Sequence, residues 1–131
     1  MKKIYALLLG LVPLGISPVG ASLANAAVEP ENFHIRSAAD LAALCRVASD
    51  DPYAQQAVHF CHGYVAGAYH YYLKSTGGSA GSGFVCVPDP APSRNDAIAA
   101  FVAWLDAHPA QQNEDAVDAL FFWAASQYPC S

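Results

Sequence analysis

A chain of 131 residues, 54% of them hydrophobic and carrying a formal net charge of −5, is long enough for one domain and no more. Its six Lys and Arg against eleven Asp and Glu exclude nucleic acid and anionic lipid as partners, because both recruit clustered cations. A basic protein surface suits such a chain better, although charge of this size also serves solubility alone.

Lys2 and Lys3 open the chain, Ala6 to Val19 are mostly apolar, and Ala24-Asn25-Ala26 has the A-x-A form of a cleavage site. This is the pattern of a bacterial secretory signal peptide over residues 1–26. The apolar run holds Pro13, Gly15 and Pro18 and is short for a membrane span of about 20 residues. Cleavage after Ala26 removes 26 of the 131 residues and leaves 105, in which eleven acids face Arg36, Arg46, Lys74 and Arg94, a net −7. No second long apolar segment follows, so the mature protein is expected to be periplasmic and free of the membrane.

Residues 27–36, with Pro30 and no periodicity, read as an extended lead-in to a domain over residues 37–131. Ser37 and Asp40 form a capping-box pattern at the start of a first helix. Leu41, Leu44, Cys45 and Ala48 recur on one side of it, and it is expected to end near Ser49. Asp50-Asp51-Pro52 is a turn, with Asp51 as cap and Pro52 at the first position of a second helix running to about Ser75. That helix is expected to be central. At 3.6 residues per turn Ala57, Cys61, Tyr64, Val65, Ala68, Tyr71 and Tyr72 share one face, and His59, Gly63, Ala66, Gly67 and His70 the other.

Thr76 to Gly83 is Gly/Ser-rich and cannot continue a helix. Phe84 to Pro88 is short and extended, and Asp89-Pro90-Ala91-Pro92 is a stiff turn. Ser93 and Asp96 repeat the start signal, and Ile98, Phe101, Val102 and Leu105 give a third helical stripe with Trp104 beside it. His108-Pro109 closes that helix. Asn113-Glu114-Asp115 caps a fourth, whose expected buried stripe is Ala116, Val117, Leu120, Phe121, Ala124 and Tyr128. Tyr69, Phe122 and Trp123 then exceed what one face buries, which suggests an interface, most simply a homodimer.

Four cysteines in an exported chain predict two disulfides, with three pairings open. The short turn between the first two helices sets Cys45 about one turn before the corner and Cys61 two to three turns after it, within reach for a steep crossing. A hairpin of the last two helices brings Cys86 beside Cys130. The expected fold is all-α: four helices in two antiparallel hairpins, stapled by Cys45–Cys61 and Cys86–Cys130.

The chemistry-bearing residues point away from catalysis. His59 and His62 share a helix edge, but His70 lies roughly 16 Å along the axis from His59, too far to complete a metal site. No cofactor is implied. Gly77-Gly78-Ser79-Ala80-Gly81 matches the G-x-S-x-G hydrolase motif in letters, yet follows a helix in a chain too short for that fold.

Phe60-Cys61-His62-Gly63-Tyr64 with Gly67 resembles the F-C-x-G-Y-x-x-G core of the Rap/Tai family, the immunity proteins of type VI secretion amidases. Cys86-Val87-Pro88 resembles its C-x-P element. His108-Pro109, Ala119-Leu120 and Tyr128-Pro129-Cys130 resemble its H-P, A-L and terminal aromatic-P-C elements, in the same order. The likeness runs from about Leu41 to Cys130. It implies a small helical periplasmic protein, often a homodimer, that binds a peptidoglycan-cleaving amidase effector and blocks its active site without catalysis of its own. The loop Thr76–Phe84, the corner Asp50–Tyr53 and the turn His108–Asn113 are the candidate contact surfaces. The rival reading is a periplasmic acid-stress chaperone, which the size, compartment and acidity also suit.

Overall fold

The computed structural model describes residues 26–77 and 83–131. The signal-peptide stretch and most of the Gly/Ser segment, including Gly78 to Gly81 of the G-x-S-x-G match, lie outside the described residues. Among the described residues the fold is all-α. Its helices are α1 (Ala38–Cys45), α2 (Ala54–Ser75), α3 (Arg94–Ala107) and α4 (Ala116–Gln127), with 3-10 helices at Pro30–His34 and Pro109–Asn113. Both predicted disulfides are present.

The caps follow the local sequence closely. Ser37 and Asp40 make the reciprocal capping box of α1. The Ser93 hydroxyl accepts the Asp96 N–H at the head of α3, and Asp115 accepts the Val117 N–H at the head of α4. His108 ends α3 before Pro109. The chain then makes a 3-10 turn of five residues instead of passing straight into α4.

Centrality differs from expectation. The eight-residue α1, not the long α2, is the helix that touches α2, α3, α4 and both 3-10 helices. Ala38, Leu41 and Leu44 are wholly buried as a result. On one side lies the main core, where Leu41 joins Phe101, Leu105, Leu120 and Trp123. On the other, Leu44 packs with Val28, Ala57, Cys61 and Ile98. α1 stops at Cys45, a turn short of Ser49; beyond it Val47 packs against the second cluster.

Three further readings are corrected. Residues 27–36 are not simply extended: Pro30–His34 is a 3-10 helix, closed by Ile35 in a left-handed conformation (φ 44°) that a β-branched residue rarely adopts. Asp51 does not cap a helix beginning at Pro52. Its two carboxylate oxygens accept the N–H groups of Tyr53 and Val28, so the corner tightens into a turn and α2 begins at Ala54. The buried faces of α2 and α4 are also rotated. Tyr71 is 77% exposed while its neighbour Tyr72 is buried, because consecutive residues stand about 100° apart and the core lies on the Tyr72 side. In α4, Trp123 turns inward onto Phe101 (ring centroids 5.6 Å), and Val117 is left at the surface.

The segment after the Gly/Ser stretch is held to the residues that follow α4 by an isolated antiparallel bridge, Val85 to Pro129, and by the Cys86 N–H donating to the Tyr128 carbonyl (2.8 Å). Cys86–Cys130 locks the same place. Arg46 and Asp106 join the ends of α1 and α3 in a partly exposed pair at 2.8 Å, worth no more than about 1 kcal/mol.

The two staples span 16 and 44 residues. Chain entropy assigns them about 3 and 4 kcal/mol. Replacing both cysteines of a pair by Ala should lower the urea-unfolding free energy in that order, with Cys86/Cys130 the more damaging pair.

Candidate binding surfaces

α2, the extended segment after Gly83 and α4 enclose an open groove of about 340 Å³. Its walls are apolar: Val65, Ala66 and Tyr69 from α2, Val85 and Val87 from the extended segment, Phe121 and Tyr128 from α4. His70 and Arg94 are its two basic side chains. The size and lining suit apolar side chains or a small ligand's hydrocarbon.

One side chain fixes this groove. The Tyr72 hydroxyl accepts the Val85 N–H (2.7 Å) and donates to the Val85 carbonyl (3.4 Å), satisfying both polar groups of a buried residue. Its ring lies edge-on to Phe84 (5.1 Å) and tilted on Phe121 (5.0 Å). Gly83 is needed here because a Cβ would run into the Tyr72 hydroxyl.

A second surface lies around the α1–α2 corner. Phe33 meets Tyr53 (6.0 Å) and Phe60 (5.6 Å) edge-on, and Phe60 stacks on Tyr64 at 6.5 Å. A third is formed by Trp104, Phe122 and His108: the imidazole stacks on the indole at 4.5 Å, and its Nδ1 lies 2.7 Å from the Trp104 carbonyl. Phe122 is 61% exposed. On the small face of α2, Ala66 and His70 border the groove, while among the described residues Gly63 and Gly67 have no atom near where a side chain would stand.

The motif residues mostly build the frame. Cys61, Ala119 and Leu120 are buried, Cys86 and Cys130 form the second staple, and Pro129 bridges Val85. His108 and Pro109 turn the chain from α3 into the second 3-10 helix, and Pro88 is exposed in the extended segment. Phe60, Gly63 and Gly67 lie on the exposed part of α2, while Tyr64 is half-buried against the main core. The sequence reading missed Phe33, hidden in a lead-in without periodicity, and the groove, whose walls come from segments distant in sequence. His59, His62 and His70 are not joined by acids or thiolates: no group of three metal-binding side chains occurs among the described residues. The phenol of Tyr64 is raised above the usual 10.0, chiefly by burial and secondarily by the Asp115 carboxylate.

The sequence model of the Rap1a immunity proteins matches residues 37–130. No curated protein and no solved structure matches the chain.

Tyr72→Phe strands the Val85 N–H and should cost about 1–3 kcal/mol, with faster hydrogen exchange at that amide. Gly83→Ala should also destabilise, but by less when combined with Tyr72→Phe, because the hydroxyl it strikes is gone. Tyr64 favours its neutral form in the fold, so its contribution is complete below pH 10.0 and lost as pH rises through the raised value. Alkaline unfolding curves should therefore fall less steeply above pH 10 for Tyr64→Phe than for the wild type.

Proposed function

The chain belongs to the Rap1a immunity protein family, and we propose that it is a periplasmic inhibitor of a peptidoglycan amidase delivered by a type VI secretion system. The observation that carries this reading is the family match across residues 37–130, nearly the whole folded domain. Membership implies a toxin effector as binding partner. The amidase is suggested by the ordered elements from Phe60-Cys61-His62-Gly63-Tyr64 to Tyr128-Pro129-Cys130, which resemble those of amidase immunity proteins. The compartment is suggested by the Lys2-Lys3 and Ala24-Asn25-Ala26 pattern and by two disulfides, which persist where the surroundings oxidise.

Inhibition of this kind is stoichiometric. The protein needs a surface that fills or covers the effector's cleft and a fold stiff enough not to yield when it does so. Two staples and two buried hydrophobic clusters supply the stiffness. α2 offers part of the surface: of its 22 residues Lys74 is the one carrying full charge, and Phe60, Tyr71, His59, His70, Gly63 and Gly67 are exposed on it beside Gln55 and Gln56. Depletion of charge with aromatics left outside is the composition of interface cores. We place a homodimer contact along Gly63 and Gly67, where a second backbone has room to approach.

Added to an amidase digesting isolated peptidoglycan, the protein should abolish activity linearly and completely at one equivalent; activity unchanged by excess protein would overturn the reading. In cells exposed to that amidase in the periplasm, the full chain should protect, whereas a chain lacking residues 1–26 should not. Gly63→Arg with Gly67→Arg should leave the monomer folded, since both positions face open space, and should convert a dimer to a monomer in sedimentation equilibrium.

A further inference from the structure

The polypeptide ahead of the family-matched region is built into the domain. Val28 is 4% exposed and sits in the second cluster beside Leu44, Ala57 and Ile98. Its N–H donates to Asp51 Oδ2 at 2.9 Å, and Asn32 Nδ2 donates to Asp40 Oδ1 at 2.9 Å. These two ties hold the Pro30–His34 helix against α1 and the corner, and so set Phe33 between Tyr53 and Phe60. The aromatic strip thus draws on the lead-in, the corner and α2.

Phe33 packs in part against the second cluster, but core packing does not account for the rest of the strip. Tyr53 is 37% and Phe60 38% exposed, so large aromatic side chains remain in water. The charges around it are one-sided. From Ala27 to Tyr53 there are five acids, Glu29, Glu31, Asp40, Asp50 and Asp51, against Arg36 and Arg46. Arg46 is neutralised by Asp106, while Asp40 and Asp51 are engaged in local hydrogen bonds. Glu31 and Asp50 remain exposed.

We propose that the strip of Phe33, Tyr53 and Phe60 is the docking surface for the toxin effector, which meets it with an apolar anchor edged by Lys and Arg. This rests on the reading of the chain as an effector inhibitor and adds where the effector sits and what it presents. The aromatics supply desolvated contact area of the sort that dominates binding energy, and the acids orient the approach of a basic face. The lead-in, lying outside residues 37–130, contributes Phe33 and Glu31 to a surface that the family's shared region alone does not complete.

The test uses the full exported protein and the amidase that the wild type inhibits in the titration above. Phe60→Ala should raise Kd by about tenfold or more. Glu31→Lys with Asp50→Lys, two exposed positions that leave the core untouched, should slow association severalfold at low salt, a difference that shrinks at about 0.5 M salt. Phe122→Ser, on the α3–α4 side, should leave Kd within about twofold. If the Phe60 and the double-charge variants bind like the wild type while the wild type still inhibits, the docking surface is overturned and the inhibitor reading stands. A wild type that inhibits no amidase overturns both.

Discussion

The domain depends on the burial of one short helix. An isolated helix of eight residues does not hold together in water, because helices under about 12–15 residues are marginal even in favourable sequences. α1 exists because its first turn is closed by Ser37 and Asp40, its last residue is bonded to Cys61, and Ala38, Leu41, Ala42 and Leu44 are buried by its neighbours. Ala38 and Ala42 let neighbours approach closely, while Leu41 and Leu44 point into different clusters. Every other helix touches α1, which couples their stabilities.

The remaining ties address what α1 does not reach. The extended segment from Phe84 to Pro92 has no helical bonds of its own, and its buried backbone must find partners elsewhere. Tyr72 takes both polar groups of Val85, Tyr128 takes the Cys86 N–H, and the second disulfide crosses beside them. Polar satisfaction and a covalent bond thus act at one place, so the groove wall cannot shift without losing both. Among the described residues no buried side-chain polar atom lacks a partner, which is consistent with a single packed arrangement.

What was legible in the sequence is what is decided locally. Capping at Ser37, Ser93 and Asp115, helix termination at His108, and the stripe of α3 all depend on residues within four positions of one another. Where a helix turns its face is decided by its neighbours, and there periodicity fell short. Tyr71 and Tyr72 are equally apolar letters, and only the position of Phe121 and Val85 selects Tyr72. Trp123 looked like surplus until Phe101 supplied a partner. The corner Asp50–Tyr53 was identifiable as a contact candidate, but its aromatic extension was not, because Phe33 is separated from Phe60 by 26 residues of intervening sequence and meets it through an irregular segment.

Rigidity and exposed aromatic surface are connected in this fold. A domain of this size has little area to spare, and leaving Tyr53, Phe60 and Phe122 in water forgoes burial worth about 25 cal/mol per Å². Two disulfides offset such a loss by lowering the entropy of the unfolded chain, independently of how much apolar surface is buried. A binding protein built this way keeps its contact side chains in place before the partner arrives, and less ordering is then required on association. The staples, on this argument, are part of how the surface binds: they permit an apolar face to stay open on a small fold without the fold rearranging to cover it.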